Sequence, residues 1–526
     1  MTTASNPPGR PRLSAAMIVR DEEDVLAATI ESLRTIADEI VILDTGSTDR
    51  TPEIAEQMGA VVSRLPWADD FSLARNRLLE RVTGDWVLWL DAGERLEAGS
   101  AAELRNFVDQ EADPEKVYSL MVEIPPADPS ASAEQMAQPR LMPMHPVLCF
   151  TGRVCESLRP SMAAIGLQVQ LAPGRIVRHP RQHDPEIKAR KAQRNLKLIA
   201  LETSPDGAAP SRLLIAAGEA YSDLNDRAAA SNAFLQATKT AQRGSTEMLE
   251  GYYGLLAALD GDPAQSDRQL AVCLEALEIF PLDVQLLCAM GSYLQAQNRV
   301  DLAGRAFETA VRFGQLDLET WHLREIVEMA AICLSLTLQL QGKDDEARRV
   351  LEEASDRHQG SFRIRRHLIG LHVKHGRDGE AIEVAGAIPM DPQRREAWRD
   401  AIRGAAKAAA QDWGPALGYL QSAYVAGCQD PFCLRWLAVT LLSNGQTTAA
   451  EPVLHEWLRL EPNNIEVQTY LEALRQQAKA EDAPAEPSQP CHIRIEPAAG
   501  VQGHASIQAP GVGQPSPVDP IVDCTG

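Results

Sequence analysis

Short apolar runs alternate with amphipathic stretches over residues 13–190 of the chain. Alternation of this kind is typical of an α/β domain with a mostly parallel sheet. From 111 to 181 the pattern becomes Pro-rich and irregular, and it assigns no order to the strands there. Earlier in the domain the pattern predicts strands at 14–19, 40–43, 60–65 and 86–90, and helices at 21–36, 51–58 and 71–82.

Residues 191–478 carry long Ala- and Leu-rich stretches with helical periodicity and no convincing strand pattern. A template of about 34 residues fits this region repeatedly, with small residues where two helices meet and large ones facing the next unit. Three copies match it best, at Leu214, Gly218, Tyr221, Ala230, Phe234 and Ala237; at Leu287, Gly291, Leu294, Ala303, Phe307 and Ala310; and at Leu434, Ala438, Leu441, Gly445, Ala450, Leu454 and Pro462. The pattern predicts an all-α tetratricopeptide-repeat solenoid, with a generic α-helical bundle as the alternative.

The two ends of the chain have the composition of disordered segments. Residues 1–12 are polar and contain proline, with no apolar stretch of the kind that a signal peptide requires. Residues 479–526 are rich in Pro, Ala, Gly and Gln and poor in large apolar side chains. Cys491 and His492 are adjacent in this tail, but a single pair does not make a metal site.

Length, charge and cysteine pattern narrow the class of protein. With 526 residues the chain is long enough for two or more domains. A formal charge of −22 disfavours nonspecific binding to nucleic acid or to an anionic membrane surface. No apolar run reaches the roughly 20 residues that a membrane helix needs, so we expect no integral membrane segment. Nine cysteines without a C-x-x-C pair favour a reducing compartment, and we expect a cytoplasmic protein.

Two predicted strands end abruptly in a carboxylate, at Asp44 and at Asp91. Ligands of open α/β sheets bind just beyond the carboxyl ends of the strands, which is where these two side chains lie. Neither a Gly-x-Gly-x-x-Gly fingerprint nor a Walker loop accompanies them. Carboxylates help to bind a nucleotide if they hold its base or ribose, or if a divalent cation bridges them to phosphate. The pattern therefore favours a nucleotide-sugar over a dinucleotide.

Four short blocks follow one another between residues 13 and 100. They read Val19-Arg20-Asp21-Glu22-Glu23, Asp44-Thr45-Gly46-Ser47-Thr48-Asp49, Asp70-Phe71-Ser72-Leu73-Ala74-Arg75-Asn76 and Leu90-Asp91-Ala92-Gly93-Glu94. In this order they resemble family 2 glycosyltransferases, a group in which tetratricopeptide repeats are common. The resemblance implies that 13–190 is an α/β domain of the GT-A fold (nucleotide-diphospho-sugar transferase, Rossmann-like), and that the all-α repeats follow it.

The resemblance implies a donor site formed by Glu22, Asp44, Arg75 and Asp91. Asp44 would bind the base or ribose, and Arg75 would pair with the diphosphate or with the Asp91 loop. Capping of the turn explains residues 47–49 well but explains Asp44 poorly, because Asp44 precedes the turn. Alternatives remain for two of these residues: Glu22 as an acid favoured by a helix N-terminus, and Arg75 as a solvated helix arginine.

The second aspartate of the family's Asp-x-Asp pair, which usually meets a divalent metal, is Gly93 here. Mg²⁺ and Mn²⁺ prefer oxygen ligands, so the remaining candidates are Asp91 and Glu94. Three outcomes are open: a metal held by Asp91 with Glu94, metal-independent transfer that relies on cationic side chains, or a degenerate site. Asp91 and Glu94 as simple turn residues are the further alternative.

A weaker fifth block, Phe150-Thr151-Gly152-Arg153-Val154-Cys155-Glu156, resembles the family's acceptor-side segment. Family 2 enzymes invert the anomeric centre, so the resemblance implies a single displacement in which a carboxylate activates the acceptor. Glu156 is the candidate base, although Cys155 replaces the histidine that usually precedes it. A surface glutamate in a loop is the alternative.

Taken together, these patterns predict a glycosyltransferase that moves a sugar from a nucleotide-diphosphate donor to an acceptor by an inverting displacement. A peptide or protein held by the repeats is one candidate acceptor, because concave repeat surfaces suit extended polypeptide. Two alternatives stay open. The chain is a non-catalytic repeat scaffold with a degenerate transferase domain, as Gly93 and Cys155 favour, or it glycosylates a lipid or polysaccharide.

Overall fold

A computed structural model describes residues 10–127, 132–203, 209–462 and 464–481 of the chain. The predicted disordered segments lie mostly outside these residues, as do Cys491 and His492. The last described helix runs from Ile465 to Glu481.

The strands of the described chain form one mixed sheet. Its order is β3-β2-β1-β4-β7-β6-β8-β5, with β9 paired to β7. The strands are β1 (Leu13–Val19), β2 (Glu39–Asp44), β3 (Val61–Arg64), β4 (Trp86–Trp89), β5 (Glu94–Leu96), β6 (Lys116–Ile124), β7 (Glu134–Pro143), β8 (Gln168–Arg178) and β9 (His322–Leu323).

The first four strands pair in parallel, as the alternating pattern predicts. Strands β1, β2 and β4 are apolar on both faces, and each face packs into its own hydrophobic cluster, as parallel strands covered by helices require. The predicted α/β fold class of the N-terminal domain is confirmed. The helices that accompany the sheet are α1 (Leu26–Leu33), α2 (Thr51–Gln57), α3 (Phe71–Leu79), α4 (Ser100–Gln110) and α5 (Arg159–Ile165).

Helix α1 is shorter than predicted, because the chain turns before entering it. Asp21 has a positive φ of 54°, and its carboxylate accepts hydrogen bonds from the backbone and the hydroxyl of Thr48. These bonds fix the residues after β1 against the turn after β2. The helical spacing of apolar residues in the sequence does not show that the backbone at Asp21 is fixed in this way.

The stretch that the sequence left without an order contains β6, β7, β8 and α5. Strand β6 lies between β7 and β8, antiparallel to the first and parallel to the second. Strand β7 in turn pairs antiparallel with β4, which joins these strands to the parallel half of the sheet. The pairing order depends on contacts distant in sequence, and a local pattern does not contain it.

From residue 185 onward the described chain is almost entirely helical, and the predicted tetratricopeptide-like repeats are confirmed. The helices are α6 (Pro185–Glu202), α7 (Ser211–Asp223), α8 (Arg227–Thr240), α9 (Thr246–Leu259), α10 (Ser266–Ile279), α11 (Val284–Ala296), α12 (Val300–Phe313), α13 (Ile326–Leu340), α14 (Asp344–Arg357), α15 (Phe362–Lys374), α16 (Asp378–Gly386), α17 (Pro392–Ala409), α18 (Trp413–Val425), α19 (Pro431–Ser443), α20 (Thr447–Leu460) and α21 (Ile465–Glu481). In the described chain, no helix combines the length and apolar character that crossing a membrane demands.

Small residues lie where the two helices of a repeat meet. A Cβ atom on Gly218 would come within 2.6 Å of the Phe234 ring, and one on Gly291 within 2.5 Å of the Phe307 ring. Both pairs occupy the template positions of their repeats. The glycines are therefore required by close packing of the paired helices and not by backbone conformation.

We expect Gly218→Ala to destabilise the protein by about 1 to 3 kcal/mol, because the added methyl group has no room beside Phe234. Gly418→Ala is the matched control. Gly418 lies inside α18, and a Cβ atom added there would meet no neighbouring side chain within 4 Å, so alanine should stabilise by roughly 0.5 to 1 kcal/mol. Urea unfolding followed by circular dichroism measures both. Equal shifts for the two variants would contradict the packing argument.

The described chain separates into two compact units, and the division does not follow the end of the strand pattern. The first unit runs through Pro281 and also includes Leu316–Arg324, a segment from within the predicted repeats. Strand β9 in this segment pairs antiparallel with the beginning of β7. The second unit comprises 282–315 and the residues from Glu325 onward. The predicted domain limits at 190 and 478 stay a prediction.

Candidate active site

The acids at the two strand ends lie at the same edge of the parallel sheet. Asp44 ends β2, and Asp91 follows β4 by two residues. Strand β1 pairs with both of these strands, so it lies between them. Two inter-strand spacings place β2 and β4 about 10 Å apart, a span suited to a nucleotide rather than to a single ion.

Asp44 is buried and caps the turn that follows it. Its carboxylate accepts hydrogen bonds from the backbone N–H groups of Gly46 at 3.3 Å and Ser47 at 3.1 Å. Asp49 accepts the N–H of Thr51 at 3.0 Å, as the capping interpretation predicted. The expectation that capping does not involve Asp44 is therefore wrong. If Asp44 also contacts the base or ribose, it has to do so while it accepts these hydrogen bonds from the turn.

Glu22 lies in the turn between β1 and α1. Its backbone N–H donates to the hydroxyl of Thr51 at 2.7 Å, and its carbonyl accepts from Val25 and Leu26. Its backbone thereby connects the turns that follow β1 and β2. Glu22 and Asp44 thus occupy the β1–β2 side of the sheet edge.

Arg75 is the centre of the charged cluster on the other side. Its Nε lies 2.5 Å from Oε1 of Glu156, and its Nη2 lies 3.4 Å from Oδ1 of Asp91. The guanidinium carbon is 4.3 Å from the centroid of the Trp89 ring, and only 12% of the side chain is exposed. Burial works against the charged guanidinium, but Glu156 and Asp91 raise the pKa of Arg75 above its ordinary value. Arg75 is therefore not a solvated helix arginine.

The block at 70–76 explains how Glu156 reaches Arg75. Asn76 exchanges two hydrogen bonds with the backbone of Phe150, at 2.9 and 2.8 Å. The Ser72 hydroxyl donates to the carbonyl of Gly152. Both side chains project from α3, so this helix holds the 150–156 loop and with it Glu156.

Helices of the first unit that come after the sheet hold the same loop from another side. The Glu202 carboxylate accepts the N–H of Arg153 at 2.7 Å. Arg212 donates to the carbonyl of Val154 at 3.1 Å and pairs with Glu202. Sequence reasoning missed Glu202 and Arg212, because they belong to no motif of the α/β domain. Residues from α6 and α7 thus contribute to the environment of Glu156.

Asp91 is a half-exposed carboxylate surrounded by arginines. Its Oδ1 accepts the indole N–H of Trp89 at 3.3 Å, and its Oδ2 lies 3.7 Å from Nη1 of Arg140. Partial removal of the Asp91 carboxylate from water disfavours its charged form. Arg75, Arg140 and Arg178 outweigh this effect and hold the pKa of Asp91 well below its usual range. Asp91 therefore stays ionised throughout the physiological pH range.

Glu94 points into the protein. Its Oε2 accepts the backbone N–H of Asp91 at 3.0 Å, and its Oε1 accepts from Arg140 at 2.7 Å and from Arg178 at 3.0 Å. Only 3% of the side chain is exposed. This geometry opposes the predicted metal site of Asp91 with Glu94, because both oxygens of Glu94 already accept hydrogen bonds, and the metal site stays a prediction. Among the described residues, no group of three or more His, Cys, Asp or Glu could hold a metal ion.

The site also includes charged residues that no motif marked. Arg140 lies on β7 and Arg178 at the end of β8, in the region whose strand order the sequence did not reveal. Arg194 on α6 lies over the Phe71 ring at 4.9 Å. Each comes from an element outside the four blocks, so only the three-dimensional arrangement identifies it.

The arrangement defines a class of protein: an α/β domain with a charged ligand site at the carboxyl edge of its parallel strands. Residues 14–113 match the family model described as Glycosyl transferase family 2. This part of the chain is therefore a family 2 glycosyltransferase domain, and tetratricopeptide-like repeats follow it. The predicted family is confirmed.

Two curated relatives match part of this chain. A TPR repeat-containing protein of Synechococcus elongatus is 48% identical over 99 residues, which are 19% of this chain and 25% of the relative. A glycosyltransferase of Rickettsia felis is 37% identical over 86 residues, 16% of this chain and 30% of that protein. The matches thus span about a quarter to a third of each relative's length.

A solved structure matches part of the chain more weakly. Glucosyl-3-phosphoglycerate synthase from Mycobacterium tuberculosis, in complex with Mn²⁺, uridine-diphosphate and glucosyl-3-phosphoglycerate, is 23% identical with a TM-score of 0.18. The match covers 22% of this chain and 43% of that one.

Proposed function

We propose that the protein is a glycosyltransferase that moves a sugar from a nucleotide-diphosphate donor to an acceptor. The observation that carries the proposal is the ion-paired cluster of Arg75, Asp91 and Glu156. It lies at the carboxyl edge of the parallel strands within a family 2 domain.

In the proposed reaction the acceptor oxygen attacks the anomeric carbon as the bond from that carbon to the diphosphate breaks. Glu156 takes the proton of the acceptor, and the nucleoside diphosphate leaves with inversion of the anomeric centre. Arg75 stabilises the negative charge on the leaving group, and Asp91 orients Arg75. Glu22 and Asp44 bind the nucleoside part of the donor, on the β1–β2 side of the edge.

For the acceptor we propose a peptide or protein, and for the location the cytoplasm. The loop that carries Glu156 is held by Glu202 and Arg212 from the helical region, so that region begins at the proposed acceptor side. The described cysteines carry free thiols, which fits a reducing compartment. If the protein were found with the membrane fraction and transferred sugar to a lipid or polysaccharide, the alternative of a lipid or polysaccharide glycosyltransferase would be favoured instead.

One feature that favoured a degenerate domain has a local explanation. Gly93 has a φ of 89°, a conformation that residues with side chains rarely adopt. Its N–H donates to the Thr29 hydroxyl at 3.0 Å, and its carbonyl accepts the N–H of His179 at 2.8 Å. Glycine is thus needed for the turn that presents Asp91 and does not by itself indicate a lost activity.

We expect Asp91→Asn to lower hydrolysis or transfer of the donor sugar by at least tenfold, because a neutral amide no longer orients Arg75. A panel of UDP-, GDP- and dTDP-sugars is assayed for release of nucleoside diphosphate, with Glu80→Gln as the exposed control at the end of α3. Equal rates in Asp91→Asn and wild type would defeat the assigned role. Thermal stabilisation by a donor without any turnover would favour the scaffold alternative.

A further inference from the structure

The carboxylates around Glu94 are already paired with arginines. Arg75, Arg140 and Arg178 form ion pairs with Asp91, Glu94 and Glu156. A divalent cation bound to Asp91 would add two charges beside guanidinium groups that already pair with it. Repulsion from Arg75 and Arg140 therefore opposes cation binding at this carboxylate.

The backbone conformation of the turn disfavours a second metal ligand of the Asp-x-Asp kind. An aspartate at position 93 would have to adopt the positive φ of Gly93. The neighbouring acid, Glu94, is directed inward and bonded through both oxygens. Asp91 alone remains, and a single carboxylate gives a divalent cation few of the oxygen ligands it prefers.

Arg178 has the properties of a phosphate-binding residue at this edge. Its Nε is fixed 3.0 Å from Oε1 of Glu94, and its guanidinium carbon lies 5.2 Å from the Trp321 ring centroid. About a quarter of the side chain, 26%, is nevertheless exposed. Arg140 pairs with the same Glu94 but is 5% exposed, so it positions Glu94 and does not reach a ligand as Arg178 can. Nη2 of Arg178 also donates to Oε1 of Gln138 at 3.4 Å. The N–H groups of the planar guanidinium that these contacts leave over can be offered to phosphate oxygens.

We propose that Arg178, positioned by Glu94 and acting with Arg75, binds the diphosphate of the donor in place of a divalent cation. The inference rests on the proposed function and specifies how that site meets the charge of its substrate. Glu94 and Arg140 are positioning residues in this scheme. The nucleoside diphosphate consequently binds with similar affinity whether or not a divalent metal is present.

Calorimetric titration of the full-length protein with UDP, GDP and dTDP tests the proposal, once in EDTA and once in MnCl₂ or MgCl₂. The expected result is that the preferred nucleotide has dissociation constants within about threefold of each other in the two buffers. Arg178→Met should weaken binding at least tenfold in both buffers, a loss of about 1.4 kcal/mol. Arg77→Met, an exposed arginine of α3, should leave binding unchanged.

The possible outcomes separate this inference from the proposed function. Tight binding in Mn²⁺ that EDTA weakens tenfold or more would overturn the inference and leave the transferase proposal intact. Failure of every nucleotide to bind in either buffer would overturn the transferase proposal itself. Arg178→Lys retains the charge without the planar fork, so intermediate binding supports the direct contact, and wild-type affinity contradicts it. The comparison of the two buffers uses the wild-type protein and does not depend on how any variant folds.

Discussion

Replacing Arg75 with alanine is expected to lower the rate of sugar transfer by about 100- to 1,000-fold, the loss typical of removing a charge-stabilising donor from an active site. The substitution removes the contacts at 2.5 Å to Glu156 and at 3.4 Å to Asp91. It also leaves two carboxylates near one another with less positive charge between them, where the diphosphate must bind. Release of nucleoside diphosphate under initial-rate conditions measures the effect.

Two further variants decide whether the loss belongs to the Arg75 contacts. Arg77→Ala, two residues along α3, removes an exposed pair with Glu80 and should keep the rate within about twofold of wild type. Arg75→Lys keeps one positive charge but cannot span both carboxylates, so an intermediate rate is expected. An Arg75→Ala enzyme that works within threefold of wild type would refute the assigned role.

The second large effect concerns stability. Glu94→Ala should destabilise the protein by about 3 to 5 kcal/mol, because it leaves the guanidinium of Arg140 buried without its main partner. The same change removes the acceptor for the Asp91 N–H and one contact of Arg178. Chemical unfolding monitored by tryptophan fluorescence is the measurement, since Trp86 and Trp89 lie in the affected sheet.

An exposed acid provides the comparison for Glu94. Glu80→Ala breaks the surface pair with Arg77, whose two side chains are 55% and 60% exposed, and should cost less than about 1 kcal/mol. Glu94→Gln should fall between the two alanine variants, because the amide oxygen still accepts one hydrogen bond. If Glu94→Ala were no more harmful than Glu80→Ala, the buried network would have no structural importance.

The parallel half of the sheet and part of the site could be predicted from the sequence. Runs such as residues 41–43 and 86–88 are apolar at every position, as expected of a strand that is covered on both faces. The block at 70–76 was informative because several of its side chains contribute to the site. Ser72 and Asn76 hold the 150–156 loop, and Arg75 pairs with Glu156. Local sequence patterns were therefore sufficient to predict those strands and site residues that lie within a single short segment of the chain.

The remaining features depend on pairings that local patterns do not contain. Arg140 and Arg178 meet at Glu94 only because β7 and β8 both flank β6 in a mixed arrangement. The inward direction of Glu94 follows from those two arginines, so a local pattern could not show how this side chain is oriented. Strand β9 contains two residues, too few to produce a recognisable alternation.

The return of residues 316–324 to the sheet has a consequence for how the chain is made on the ribosome. Gln135 and its partner His322 are 187 positions apart in the sequence. At a synthesis rate of about 5 to 20 residues per second, the beginning of β7 waits roughly 10 to 40 s for that partner. During this interval an unpaired strand edge is open to other nascent chains. The beginning of β7 therefore completes its pairing only after residue 323 has been synthesised.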